Sequence, residues 1–142
     1  MLACDPARTP GRTSPLEGWR IIADPAALDR AKWPRGSDVV RISPDDVFLI
    51  APNGPGATVP TVSGDPHAII TPEHGFAGAI LTPAEVELVA LHHIEWELPR
   101  TRPALAQGRI AGVPAKLDIA RDGSALLLVA CAARHELEER LA

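Results

Sequence analysis

The chain has 142 residues, 46% hydrophobic and 23% charged, with a formal net charge of −4. That length supports one ordinary core without disulfide or metal staples, and a mildly acidic chain with no Lys/Arg run has nothing to track a phosphate backbone, so nucleic acid is excluded as an expected partner. No apolar run approaches the roughly 20 residues of a membrane helix, and two cysteines, Cys4 and Cys131, fit a reducing compartment, so the expected setting is cytoplasmic with no membrane partner.

Residues 1–17 are rich in Pro, Arg, Thr and Ser without an apolar period and read as a disordered N-terminal tail. Residues 18–142 are expected to form a single α+β domain. It opens with the strand "GWRII", followed by a helix with Asp24 as N-cap and Pro25 at its first position, ended by Pro34 and Gly36. "SDVVRISPDDVFLIAP" reads as a hairpin, because Val40 and Ile42 alternate with Arg41 and Ser43 and "SPDD" supplies a turn with φ pre-set by proline. Residues 51–66 are dense in Pro and Gly and are expected to be a loop.

Further along, "HAII" and "FAGAIL" flank "TPEHG" in what reads as a second hairpin. "TPAEVELVALHH" then starts a helix with Thr82 as N-cap and Glu85 at the third position, a capping box, and it places Val86, Val89, Ala90 and His93 on one face. The period then changes: Ile94, Trp96 and Leu98 alternate with Glu95 and Glu97, which predicts a strand. Two or three more strands follow, joined through "AGVP" and "RDG", and "ARHELEERLA" closes as a helix. With 15 prolines and 11 glycines cutting the chain into short elements, an antiparallel or mixed sheet with helices packed on one side is expected, a ferredoxin-like or split-βαβ derivative.

The chemistry-bearing residues are sparse. His92, His93 and Glu95 fall within four positions, but His92 and His93 diverge by about 100° around a helix axis and Glu95 lies beyond the helix, so the trio does not converge locally. Histidines in a last helical turn also serve its orphan carbonyls. Metal binding is therefore not expected, and any such site would need His67 or His74 to join these residues through space. "HELEER" lacks the second histidine of the metalloprotease helix motif, and Glu136, Glu138, Glu139 and Arg140 read as a solvated face. Gly108 is expected to mark a bulge or a close approach of chains. Cys131 reads as a buried thiol at a strand end, and Trp33, Trp96 and Phe76 as core anchors.

Two stretches carry a family resemblance. "VVRISPDDVFLIA" and "ALAQGRIAGVPAKLDIARDGSALLLVACAARHELEERL" resemble the strand–turn–strand and closing block of the gamma subunit of heterotetrameric sarcosine oxidase, a relative of part of the glycine-cleavage aminomethyltransferase (T-protein) fold; the similarity spans residues 37–141. The resemblance implies a small accessory subunit without catalytic residues or a cofactor of its own, supporting larger subunits that carry flavin or bind folate. Two other expectations stand beside it. One is a small-molecule or metal-binding module, or a minor enzyme, using His67, His74, His92 and Glu95; the other is a structural homo-oligomer.

Overall fold

A computed structural model of the chain describes residues 12–51 and 59–142. The class is α+β, with antiparallel sheets and, among the described residues, three α-helices. The described residues fall into two compact units: residues 16–74 make the first, and residues 12–15 with 75–142 make the second. Of the expected tail, residues 1–11 lie outside the described residues, as do residues 52–58 of the expected loop. Residues 14 and 15 form β1 (Ser14–Pro15), a short strand on the edge of the second unit's sheet.

In the first unit, β2 (Gly18–Ile22), β3 (Asp38–Ser43), β4 (Asp46–Ile50) and β5 (Ile69–Glu73) lie in the order β3-β4-β2-β5, every neighbouring pair antiparallel. Trp19 and Ile21 of β2 and Val47 and Leu49 of β4 point to one face, where α1 (Pro25–Arg30) packs Ala27 and Leu28 against them. Phe48 and Ile50, on the other face of β4, are buried as well, which is why "VFLI" is unbroken and does not alternate. Strands β2 and β4 approach closely only because Gly18 has no side chain: a Cβ there would stand 2.0 Å from the Leu49 carbonyl oxygen.

Arg20 points away from the α1 face and ties three strands together. Its Nε and Nη2 donate to the two Asp46 carboxylate oxygens at 2.5 and 2.6 Å, and its Nη1 donates to Glu73 at 3.0 Å. This two-pronged bond to Asp46 is the main reason the Arg20 pKa lies above its ordinary value.

Two local expectations change here. Asp24 precedes α1 and its carbonyl accepts from Leu28, but its side chain caps nothing; instead its own N–H donates to Asp65 at 2.8 Å. The Asp65 carboxylate also accepts from the His67 N–H at 2.8 Å, and these backbone bonds, that from Asp24 foremost, hold its carboxyl below the ordinary range. The helix stops at Arg30, before Pro34 is reached. The β3–β4 hairpin does form, with Pro44 and Asp45 as its turn and an irregularity between Arg41 and Ser43.

The second hairpin does not form. Strand β5 pairs with β2 in the first unit, whereas β6 (Phe76–Leu81) pairs with β1 and β9 in the second, so strands expected in one sheet are divided between two. The two segments look alike in sequence but differ in what they can bury. Pro72 and an exposed Ile69 suit β5 to a sheet edge, while Ala77, Gly78, Ala79 and Leu81 are all buried and suit β6 to an interior position.

The second unit's sheet runs β1-β6-β9-β8-β7, with β7 (Ala104–Ile110), β8 (Val113–Ile119) and β9 (Ala125–Ala130), again all antiparallel. Alternate residues of β8 (Val113, Ala115, Leu117, Ile119) and of β9 (Ala125, Leu127, Val129) form one core with Val86 and Val89 of α2 (Pro83–His93) and Leu137 of α3 (Arg134–Leu141). Within each unit the core draws on the helices and one sheet face. The expected "AGVP" turn is only the dipeptide Ala111-Gly112, both at positive φ, and Pro114 lies in β8 just before its ladder with β9 begins, so its missing N–H interrupts no bond to that strand. Cys131 is half-buried at the end of β9, packed against this core, and its N–H donates to Gly75.

Helix α2 is capped as expected: Thr82 accepts from the Glu85 N–H at 3.2 Å, and the Glu85 carboxylate accepts from the Thr82 N–H at 3.1 Å. The "IEWELP" strand is absent. Ile94, Trp96 and Leu98 do pack on the core while Glu95 and Glu97 are exposed, so the alternation survives in burial, yet the backbone joins no ladder. The alternation reports which side chains face the core; strand formation also needs a neighbour with free backbone groups. At the edge of β7 it is the Trp96 indole N–H that reaches the Arg109 carbonyl, at 3.0 Å.

The glutamates of α3 are not all on a solvated face. Glu136 pairs with Arg140 at 2.6 Å on the exposed side, but Glu138 is largely covered and accepts from the Thr13 hydroxyl at 2.6 Å and the Thr13 N–H at 2.7 Å. The hydroxyl bond is the largest cause of a Glu138 pKa below its ordinary 4.5, with desolvation opposing it. A carboxyl whose pKa falls on folding contributes stability that is complete above its unfolded value and is lost as pH drops through the folded one. Acid titration is therefore expected to release Thr13 to Pro15 from the second unit as pH falls below about 4.5. Amide exchange at Thr13 checks this, since Glu138→Gln should remove the pH dependence, and an unchanged acid profile in that variant would reject the assignment.

Candidate functional site

The capping box and the Val86/Val89 pair fix the start and roll of α2, and together they decide where its last turn points. That turn and residues 94–96 line a cleft of about 540 Å³ together with the end of β7 and the β7–β8 turn, its lining including His92, His93, Glu95, Trp96, Gly108 and Arg109. Three of the candidate residues, His92, His93 and Glu95, thus line one cleft. His67 sits in a turn and His74 just after β5, both exposed in the first unit; the His74 ring nitrogen Nδ1 lies 4.0 Å from the Glu17 carboxylate.

The cleft's floor is built from tight contacts. A Cβ on Gly108 would lie 2.7 Å from the Trp96 ring, so the close approach expected at Gly108 is made by an indole lying on a bare strand. The Ala111 N–H donates to the His93 carbonyl at 2.8 Å, closing one orphan acceptor at the C-terminus of α2. The Ala111 carbonyl accepts from Arg140 at 2.8 Å, and Arg109 donates to the Gly112 carbonyl at 3.1 Å. These bonds brace a turn whose first residue, Ala111, has φ +50°, a conformation that costs about 1 kcal/mol for a residue with a Cβ.

The walls are chemically mixed. The His92 and His93 rings stand 6.3 Å apart, edge to face, at 65°. Among the described residues neither Glu95 nor Arg109 forms an ion pair within 4.0 Å, although both line the cleft. Also among the described residues, no group of three or more His, Cys, Asp or Glu side chains is gathered in a way that could hold a metal ion. No protein family, curated protein or solved structure matches the chain. No described helix is long and apolar enough to cross a membrane.

The outer face of α2 follows from the helical period of its sequence. With Val86 and Val89 turned inward, the helical period leaves Leu88 and Leu91 outward, and they are 56% and 75% exposed. Helix α2 is thus apolar on both sides, with Ala84 one turn before Leu88 on the outer one. Arg109 and Gly112, by contrast, carry no local signal in "AQGRIAGVP", because only the fold of β7 against residues 94–96 brings them to the cleft.

Proposed function

We infer that the chain is a non-catalytic accessory subunit, similar to the sarcosine oxidase gamma subunit, that works by protein–protein contact through the outer face of α2. The observation that carries this reading is the exposure of Leu88 and Leu91 one turn apart on a helix whose other face is already buried. Exposed apolar side chains adjacent on a helix whose inner face is already packed are the kind of surface that a partner covers. The finer fold assignment, a split-βαβ derivative, is supported by the first unit, where β2 and β3 run in the same direction on either side of β4 and α1 connects them. On this reading any flavin or folate belongs to the larger partner, and the setting is cytoplasmic.

The test is co-purification of the chain from its source cell beside a Leu88→Lys/Leu91→Lys variant. A larger flavin-bearing or folate-binding protein should accompany the unaltered chain in fixed ratio and be lost from the variant by more than about tenfold. Recovery of the chain alone, as a monomer by sedimentation, would reject the reading. Concentration-dependent self-association with no companion would replace it with the homo-oligomer.

A further inference from the structure

Going beyond protein contact, we propose that the cleft between the end of α2 and the β7–β8 turn is a binding site for a small zwitterion with an apolar body, of the class of a large apolar α-amino acid. The Glu95 carboxylate and the Arg109 guanidinium line the same cleft, and neither has an ion-pair partner within 4.0 Å among the described residues. Opposite charges that share a cleft without neutralising each other are complementary to a ligand carrying both signs.

The rest of the cleft sorts by charge in the same sense. Glu95 follows directly on the C-terminus of α2, whose dipole end is negative, so that wall favours an ammonium. Arg109 lines the same cleft with one N–H committed to the Gly112 carbonyl, leaving its other donors for a carboxylate. The lining also holds apolar side chains: Trp96, pinned by its N–H bond to the Arg109 carbonyl and by contact with Gly108, has a ring whose position is already set, and Ile94 lines the cleft as well. The volume of about 540 Å³ falls in the range of small-ligand clefts and exceeds what a side-chain-free amino acid would fill. His92 and His93 also line the cleft and add hydrogen-bonding groups to it.

The experiment titrates the full ¹⁵N-labelled chain with L-phenylalanine and, separately, with its two halves: phenethylamine, which lacks the carboxylate, and 3-phenylpropanoate, which lacks the ammonium. The reporter is the Trp96 indole N–H resonance, assigned through Trp96→Phe. Phenylalanine should move that resonance and the Gly108 amide, and each half should need at least about tenfold more ligand for the same shift, as loss of one charged contact implies. Arg109→Gln should abolish the preference for phenylalanine over phenethylamine, and Glu95→Gln its preference over 3-phenylpropanoate, while each variant keeps the dispersed spectrum of the folded chain. No shift at millimolar phenylalanine, or halves that bind as well as the whole, would overturn the proposal.

Discussion

Gly18→Ala is expected to destabilise the first unit by roughly 3 kcal/mol or more, at the upper end of what overpacking costs. Strand propensity argues the other way, because glycine inside a strand is worse than alanine by about 0.5–1 kcal/mol. The steric effect wins because the added Cβ would sit 2.0 Å from the Leu49 carbonyl oxygen and 2.9 Å from its carbon, backbone atoms that no rotamer change can move. The only relief is separation of β2 from β4, which would break the ladder holding Trp19 against Leu49 and Ile21 against Val47. Urea unfolding, with amide exchange across β2 and β4, measures the loss; a variant as stable as the parent would show that these strands do not pack this closely.

Gly108→Ala should cost about 2 kcal/mol, within the range for one added methyl in a filled space. Its obstacle is a side chain, the Trp96 ring at 2.7 Å, so the variant can fold by turning the indole out of the cleft. That movement forfeits the N–H bond to the Arg109 carbonyl and part of the cover that residues 94–98 give the second unit's core. The Trp96 indole N–H resonance should therefore move toward its free-solution position. A bound-like resonance together with unchanged stability would mean that the strand, not the ring, gives way, and the cleft's floor would have to be redrawn.

Elements whose causes are local are legible in the sequence. The capping box at Thr82 and Glu85 needs only residues three apart, and the "SPDD" turn joins its strands with two central residues, so both form as expected. His92 and His93, expected to diverge around α2, line one cleft together with Glu95, their rings 6.3 Å apart. Where an outcome depended on a distant partner, the reading differed. Asp24 resembled a cap, but Asp65, 41 residues away, takes the hydrogen bond at the start of α1. Glu138 looked solvated until Thr13, 125 residues distant, was placed beside it.

What the amino-acid order determined alone was the α+β class, the two helix starts marked by Pro25 and Thr82, and which residues of 94–98 turn inward. Tertiary structure decided that "IITPE" and "FAGAIL" enter different sheets, that residues 94–98 meet a strand edge through an indole rather than a backbone ladder, and that Arg109 and Glu95 line the same cleft. The reason is physical: periodicity and capping act over a few residues and specify which side of an element is apolar, whereas the identity of the neighbour that covers that side, or satisfies its backbone, depends on contacts between segments tens of residues apart.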